Sequence, residues 1–147
     1  MLLSCRLTIN ELLYNIMSKK ILLVEDDSCI IDIYSTVLKK AGFKVEISES
    51  SKDAMERLEK IAKGDEERPD LVLLDLVLPD INGIEVLRKA RSQKGIDDIP
   101  FFILTNYTNP DLKIVGEKLK VEKYILKTDF VPSQLVKEIK NWFEKVK

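Results

Sequence analysis

Short runs of consecutive apolar residues, each stopped by a polar residue, punctuate the chain. Ile21-Leu22-Leu23-Val24 ends at Glu25-Asp26-Asp27, Leu71-Val72-Leu73-Leu74 at Asp75, Phe101-Phe102-Ile103-Leu104 at Thr105, and Tyr124-Ile125-Leu126 at Lys127. Unbroken apolar runs of this length predict strands covered on both faces, as in parallel sheets. Phe43 to Ile47 predicts a further short strand. Between the runs the apolar spacing turns helical. Ile30, Ile31, Tyr34, Val37, Leu38 and Ala41 mark one helix, stopped at Gly42. Ser50, with Asp53 three residues on, starts another helix carrying Ala54, Leu58 and Ile61. Gly83 leads into a third, Asn109-Pro110 caps a fourth, and Pro132 opens the last, with Leu135, Val136, Ile139, Trp142 and Phe143. Five strand–helix units in alternation predict an α/β fold with helices on both faces of a parallel sheet.

The bulk properties narrow what such a fold can do. The 147 residues suffice for one domain, and a make-up of 45% hydrophobic and 33% charged is that of a globular protein. No run approaches a membrane-spanning helix, and a net charge of −1 offers no basic field for a phosphate backbone, so neither membrane nor direct nucleic-acid binding is expected. Cys5 and Cys29 form no CxxC pair and read as free thiols of a reducing, cytoplasmic compartment, with a single disulfide as the alternative. The chain has no histidine, which removes Ser-His-Asp and Cys-His nucleophiles and histidine-ligated metals. Residues 1–16 scatter apolar positions without the layout of a signal peptide. Met17-Ser18-Lys19-Lys20 looks like a natural beginning. We therefore expect a domain over 17–147, preceded by an extension over 1–16 that is disordered or upstream of the true start, or else a loose amphipathic helix.

In open parallel α/β sheets the ligand site lies beyond the carboxyl ends of the strands. Read in order, those ends are Glu25 and Asp26, then Asp75, Thr105 and Lys127. Singly each has an ordinary explanation: a helix cap, a strand-end acid, a turn hydroxyl, a solvated charge. Together, at successive ends of one sheet, they suggest chemistry. Three clustered carboxylates repel one another unless a cation compensates. An all-oxygen donor set favours Mg²⁺, with Mn²⁺ as an alternative. A carboxylate nucleophile flanked by a hydroxyl and an ammonium suits phosphoryl transfer.

The stretches Lys19–Asp27 and Pro69–Leu76 with Pro79 and Gly83, the strand end Leu104-Thr105, and Tyr124–Lys127 resemble the receiver domains of bacterial response regulators. The resemblance covers about residues 19 to 146 and implies a flavodoxin-like sheet of order 2-1-3-4-5. It further implies that Asp75 accepts phosphate from a phosphohistidine on a sensor histidine kinase or histidine phosphotransfer protein. Asp26, Asp75 and the backbone carbonyl of Val77 would bind Mg²⁺, and Glu25 would act through a metal-bound water. Thr105 and Lys127 would contact the phosphoryl group, and Tyr124 resembles the family's aromatic switch. Val77, Asn106 and Tyr107 stand where the family tunes access and dephosphorylation, so a long-lived phosphoryl state is expected. Only one helix follows Lys127, which suggests a stand-alone signalling relay, not an enzyme, that docks on an unidentified downstream protein. The competing readings are a phosphorylation-independent binding module, which should lack Asp75 or Lys127, and a phosphohydrolase, which should carry an acid where Val77 stands. A dinucleotide-binding domain would need a GxGxxG after the first strand, and there is none.

Overall fold

The computed structural model describes residues 6, 8–17, 19–106 and 109–146. Five strands form one sheet: β1 (Lys20–Val24), β2 (Lys44–Ser48), β3 (Leu71–Asp75), β4 (Phe101–Thr105) and β5 (Lys123–Leu126). Every neighbouring pair is parallel and the order is β2-β1-β3-β4-β5, as the resemblance implied. The helices are α1 (Ile9–Met17), α2 (Ser28–Lys40), α3 (Ser51–Ala62), α4 (Ile84–Ser92), α5 (Pro110–Lys118) and α6 (Pro132–Lys145).

The strand pleat separates two apolar layers. Leu22, Val24, Val72, Leu74, Phe101 and Ile103 face Ala54 and Leu58 of α3, Ile84, Leu87 and Ala90 of α4, and half-buried Leu112 and Val115 of α5. Ile21, Leu23, Leu71, Leu73, Phe102, Leu104 and Ile125 face Tyr34 and Leu38 of α2 and Leu135, Ile139 and Phe143 of α6. Because both faces are covered, β1, β3 and β4 are buried along their whole length, and this is why they carry unbroken apolar runs, whereas edge strand β2 is partly exposed. Full burial of each such side chain stabilises the fold by about 1.5–3 kcal/mol.

Local signals set the helix starts. Asp27 accepts hydrogen bonds from the amides of Cys29 and Ile30 at the head of α2. Ser50 accepts from Asp53 at the head of α3, and Asn109 from Asp111 and Leu112 ahead of Pro110. Part of the extension expected over 1–16 falls among the described residues. Among its described residues, Ile9–Met17 form α1, with Ile9, Leu13 and Tyr14 well exposed. The helix is the amphipathic alternative named above. Residues 1–5 of that extension, Cys5 included, lie outside the described residues. Cys29 is an exposed free thiol. No helix among the described residues is long and apolar enough to cross a membrane.

Candidate functional site

Strand register brings the candidate residues together. Val24 pairs with Leu74, so Glu25 follows β1 beside Asp75 at the end of β3. Asp75 pairs with Leu104, and Thr105 with Leu126, so Thr105 and then Lys127 continue the same rim. Glu25, Asp75 and Thr105 are buried at 2%, 7% and 2% exposure, whereas Asp26 points to solvent. Glu25, Asp26, Asp27, Ile30, Asp75, Val77, Asn106 and Lys127 line a cavity of about 220 Å³ at these strand ends. Thr105 lies at the rim in register but is not part of that lining.

The ammonium of Lys127 holds the two buried acids. Its Nζ lies 2.7 Å from Glu25 Oε2 and 3.1 Å from Asp75 Oδ2. Asp75 Oδ1 accepts the amide of Val77 at 3.0 Å, and Glu25 Oε1 accepts that of Asp27 at 3.2 Å. One cation thus serves two carboxylates in a poorly solvated place. Burial, reinforced by the charge of Asp75 and opposed by Lys127, pushes the Glu25 carboxyl up to about 7. Burial also pulls on Lys127, but its bond to Glu25 and the charges of Asp75 and Glu25 win and hold its pKa above the ordinary lysine value.

A divalent cation fits this donor set. One carboxylate oxygen from each of Glu25, Asp26 and Asp75 lies within 4.8 Å of the others. With all three carboxyls deprotonated beside one ammonium the net charge would be −2, which a doubly charged ion would neutralise. Asp26, not engaged by Lys127, faces the open side where such an ion would enter. The ligands are all oxygen, as hard cations prefer.

Tyr124 lies away from the cavity, packed against the apolar layer on the α3–α5 face. Its hydroxyl is buried beside the Asn109 backbone without a well-formed hydrogen bond among the described residues; burial raises its pKa and the Asn109 backbone opposes the rise. Asn106 is exposed beside the cavity, while Tyr107 lies outside the described residues. Sequence reasoning missed the supports of the loop after Asp75. Gly83 approaches Asp75 so closely that a Cβ there would stand 2.3 Å from the Asp75 carbonyl oxygen, and its amide donates to Leu76 at 2.9 Å. Asp80 reaches the head of α3, a partner remote in sequence that no local pattern reveals.

The family model described as "Response regulator receiver domain" matches residues 21–140. The DNA-binding response regulator MtrA of Mycolicibacterium paratuberculosis is 33% identical over 124 residues, covering 84% of this chain and 51% of that protein. The chain spans about half the length of the curated relatives it matches. Among solved structures, the CheY-like receiver domain protein of Methanospirillum hungatei JF-1 superposes with a TM-score of 0.74 at 29% identity, covering 86% of this chain and 94% of that one. The Mn²⁺-bound form of response regulator Rcp1 gives a TM-score of 0.74 at 32% identity, covering 88% of this chain and 97% of that one.

Proposed function

The chain belongs to the response regulator receiver domain family, and on that premise we propose that it is a phosphorylation switch whose acceptor is Asp75. The observation that carries the reading is the Asp75 carboxylate held between the Val77 amide and the Lys127 ammonium, at the floor of an acidic cavity. The backbone amide and the ammonium fix the nucleophile in direction. An Asp75 oxygen forms the new bond to phosphorus, and the phosphorus–nitrogen bond of a phosphohistidine breaks, its electron pair returning to the imidazole of the partner kinase or phosphotransfer protein. Asp26, Asp75 and the Val77 carbonyl are the proposed ligands of Mg²⁺, or of Mn²⁺ in its place, with Glu25 acting through a bound water. When bound, the ion supplies positive charge for the equatorial phosphoryl oxygens.

Lys127 then exchanges its carboxylate partner for the phosphoryl group, and Thr105 donates its hydroxyl to the same group. Phosphorylation adds close to two negative charges. The charge-assisted bonds it recruits bias a two-state equilibrium in the segments after β4 and β5, with Tyr124 as the reporting side chain. The output is contact with a partner protein. Val77 lines the cavity and Tyr107 stands where the family tunes dephosphorylation, so an attacking water is hindered and the phosphoryl group persists.

The test is incubation of the chain with Mg²⁺ and acetyl phosphate, read by intact mass. One phosphoryl group is gained by the wild type and none by Asp75→Asn. A wild type that gains none shows a phosphorylation-independent binding module instead. Phosphoryl lifetimes of seconds would remove the shielding assigned to Val77 and Tyr107.

A further inference from the structure

The loop after Asp75 is fastened at points outside the cavity. Asp80 accepts the amide of Ser51 at 3.0 Å and that of Lys52 at 2.9 Å. These are the first two amides of α3, donors that a helix cannot pair within itself. The third, on Asp53, is taken by Ser50 Oγ at 3.0 Å. One residue past Asp80, the Ile81 carbonyl accepts the hydroxyl of the fully buried Ser51 at 2.6 Å. The head of α3 is therefore completed from some 28 positions downstream.

Burial does little to hold this loop. Val77 and residues 79–82 are exposed, and only Leu78 leans on the core. Its shape is set by the Gly83 amide on Leu76 at one end and by the Asp80 and Ser51 bonds at its tip. The Asp80 bonds are charge-assisted and point at the positive end of a helix, the stronger kind of tether. Between the two fastenings lies Val77, whose amide holds the acceptor carboxylate.

We propose that Asp80 and Ser51 are positioning residues for the divalent cation, clamping the loop so that the Val77 carbonyl and the Asp75 carboxylate are already in place when the ion arrives. This rests on the cation site proposed above and adds two residues that touch neither ion nor phosphoryl group. Without the clamp the loop must be ordered at the moment of binding, and affinity falls by that entropy.

Calorimetric titration of Mg²⁺ into the full chain tests the clamp with Asp80→Asn, Ser51→Ala and Ser50→Ala. Ser50 caps the same helix without touching the loop, so its variant shows what mere helix destabilisation does. We expect Asp80→Asn and Ser51→Ala to weaken Mg²⁺ binding about tenfold, as loss of outer-shell support does elsewhere. In the same two variants the amides of residues 77–82 should exchange faster with deuterium before any Mg²⁺ is added. Ser50→Ala should lower the melting point yet bind Mg²⁺ as the wild type does. The proposal is overturned if Ser50→Ala weakens binding equally, or if the two clamp variants bind like the wild type. Should Asp80→Asn not fold, Ser51→Ala carries the test alone. A wild type that takes up no Mg²⁺ overturns the parent reading and this one with it, whereas wild-type uptake unaltered in the clamp variants overturns this one only.

Discussion

Replacing Gly83 by alanine puts one methyl group where the chain has no room. The new Cβ would stand 2.3 Å from the Asp75 carbonyl oxygen and 2.8 Å from the Leu76 Cα, against ordinary contacts that begin at 3.4 Å. Both neighbours are backbone, so no rotamer change relieves the clash, and the loop and the end of β3 must part by about 1 Å. Overpacking of this kind costs about 1–3 kcal/mol. At roughly 3 °C per kcal/mol for a chain of this size, a mid-range cost lowers the melting point by about 6 °C. The larger effect is on chemistry, because a displacement of about 1 Å at a reacting group costs on the order of a hundredfold in rate. Calorimetry gives the melting point, and intact mass after timed exposure to acetyl phosphate and Mg²⁺, well below that temperature, gives the rate. Gly64→Ala is the control. Gly64 has φ +83° and nothing within 4 Å of a would-be Cβ. That variant should lose about 1–2 kcal/mol to backbone strain and phosphorylate normally. A Gly83→Ala protein that reacts at the wild-type rate, or a Gly64→Ala protein that loses as much, would refute the reasoning.

Three further outcomes are expected. Glu25 keeps its proton in the folded chain up to about 7 but only to 4.5 when unfolded, so between those values the folded state binds more protons and stability without metal falls as pH rises. The Lys127 contribution is lost only above 10.5, outside that window. Urea midpoints in chelator should therefore decline from about pH 5 to about pH 8, and Mg²⁺, which selects the carboxylate, should flatten the decline and release a proton on binding. Lys127→Met strands two buried carboxylates and should cost about 3–5 kcal/mol in urea denaturation at alkaline pH, partly regained with Mg²⁺, whereas an unchanged midpoint would mean that the ion pairs contribute nothing. Tyr124→Phe removes a buried hydroxyl with no well-formed hydrogen bond among the described residues and should leave the thermal midpoint unchanged or raise stability by about 1 kcal/mol, so a clear fall would contradict the geometry.

The strands and most helices were legible because their signals are local. Apolar runs buried on both faces, Ser50 and Asn109 as caps, and Pro110 and Pro132 in first turns each act within a few residues. The rim was legible for a different reason: a parallel sheet turns strand ends into neighbours, so Glu25, Asp75 and Lys127 could be grouped before any distance was known. The sharing of one ammonium by Glu25 and Asp75 was not legible, since it depends on side-chain reach across strands. Asp80 on the amides of α3 was equally hidden, as was Arg91 donating to the carbonyls of Ile99 and Leu119. Long-range bonds to backbone groups leave no period in the sequence. The helix at Ile9–Met17 was open because nothing in the sheet requires it.

Lys127 meets Glu25 across 102 positions of chain and Asp75 across 52. A nascent polypeptide still waiting for β5 already owns its acidic trio, yet has no ammonium to quiet the mutual repulsion. The last strand to be synthesised therefore supplies the counter-charge for residues made much earlier. On the proposed reading, copies cut short before β5 lack the cation that contacts the phosphoryl group and stay mute toward a phosphodonor.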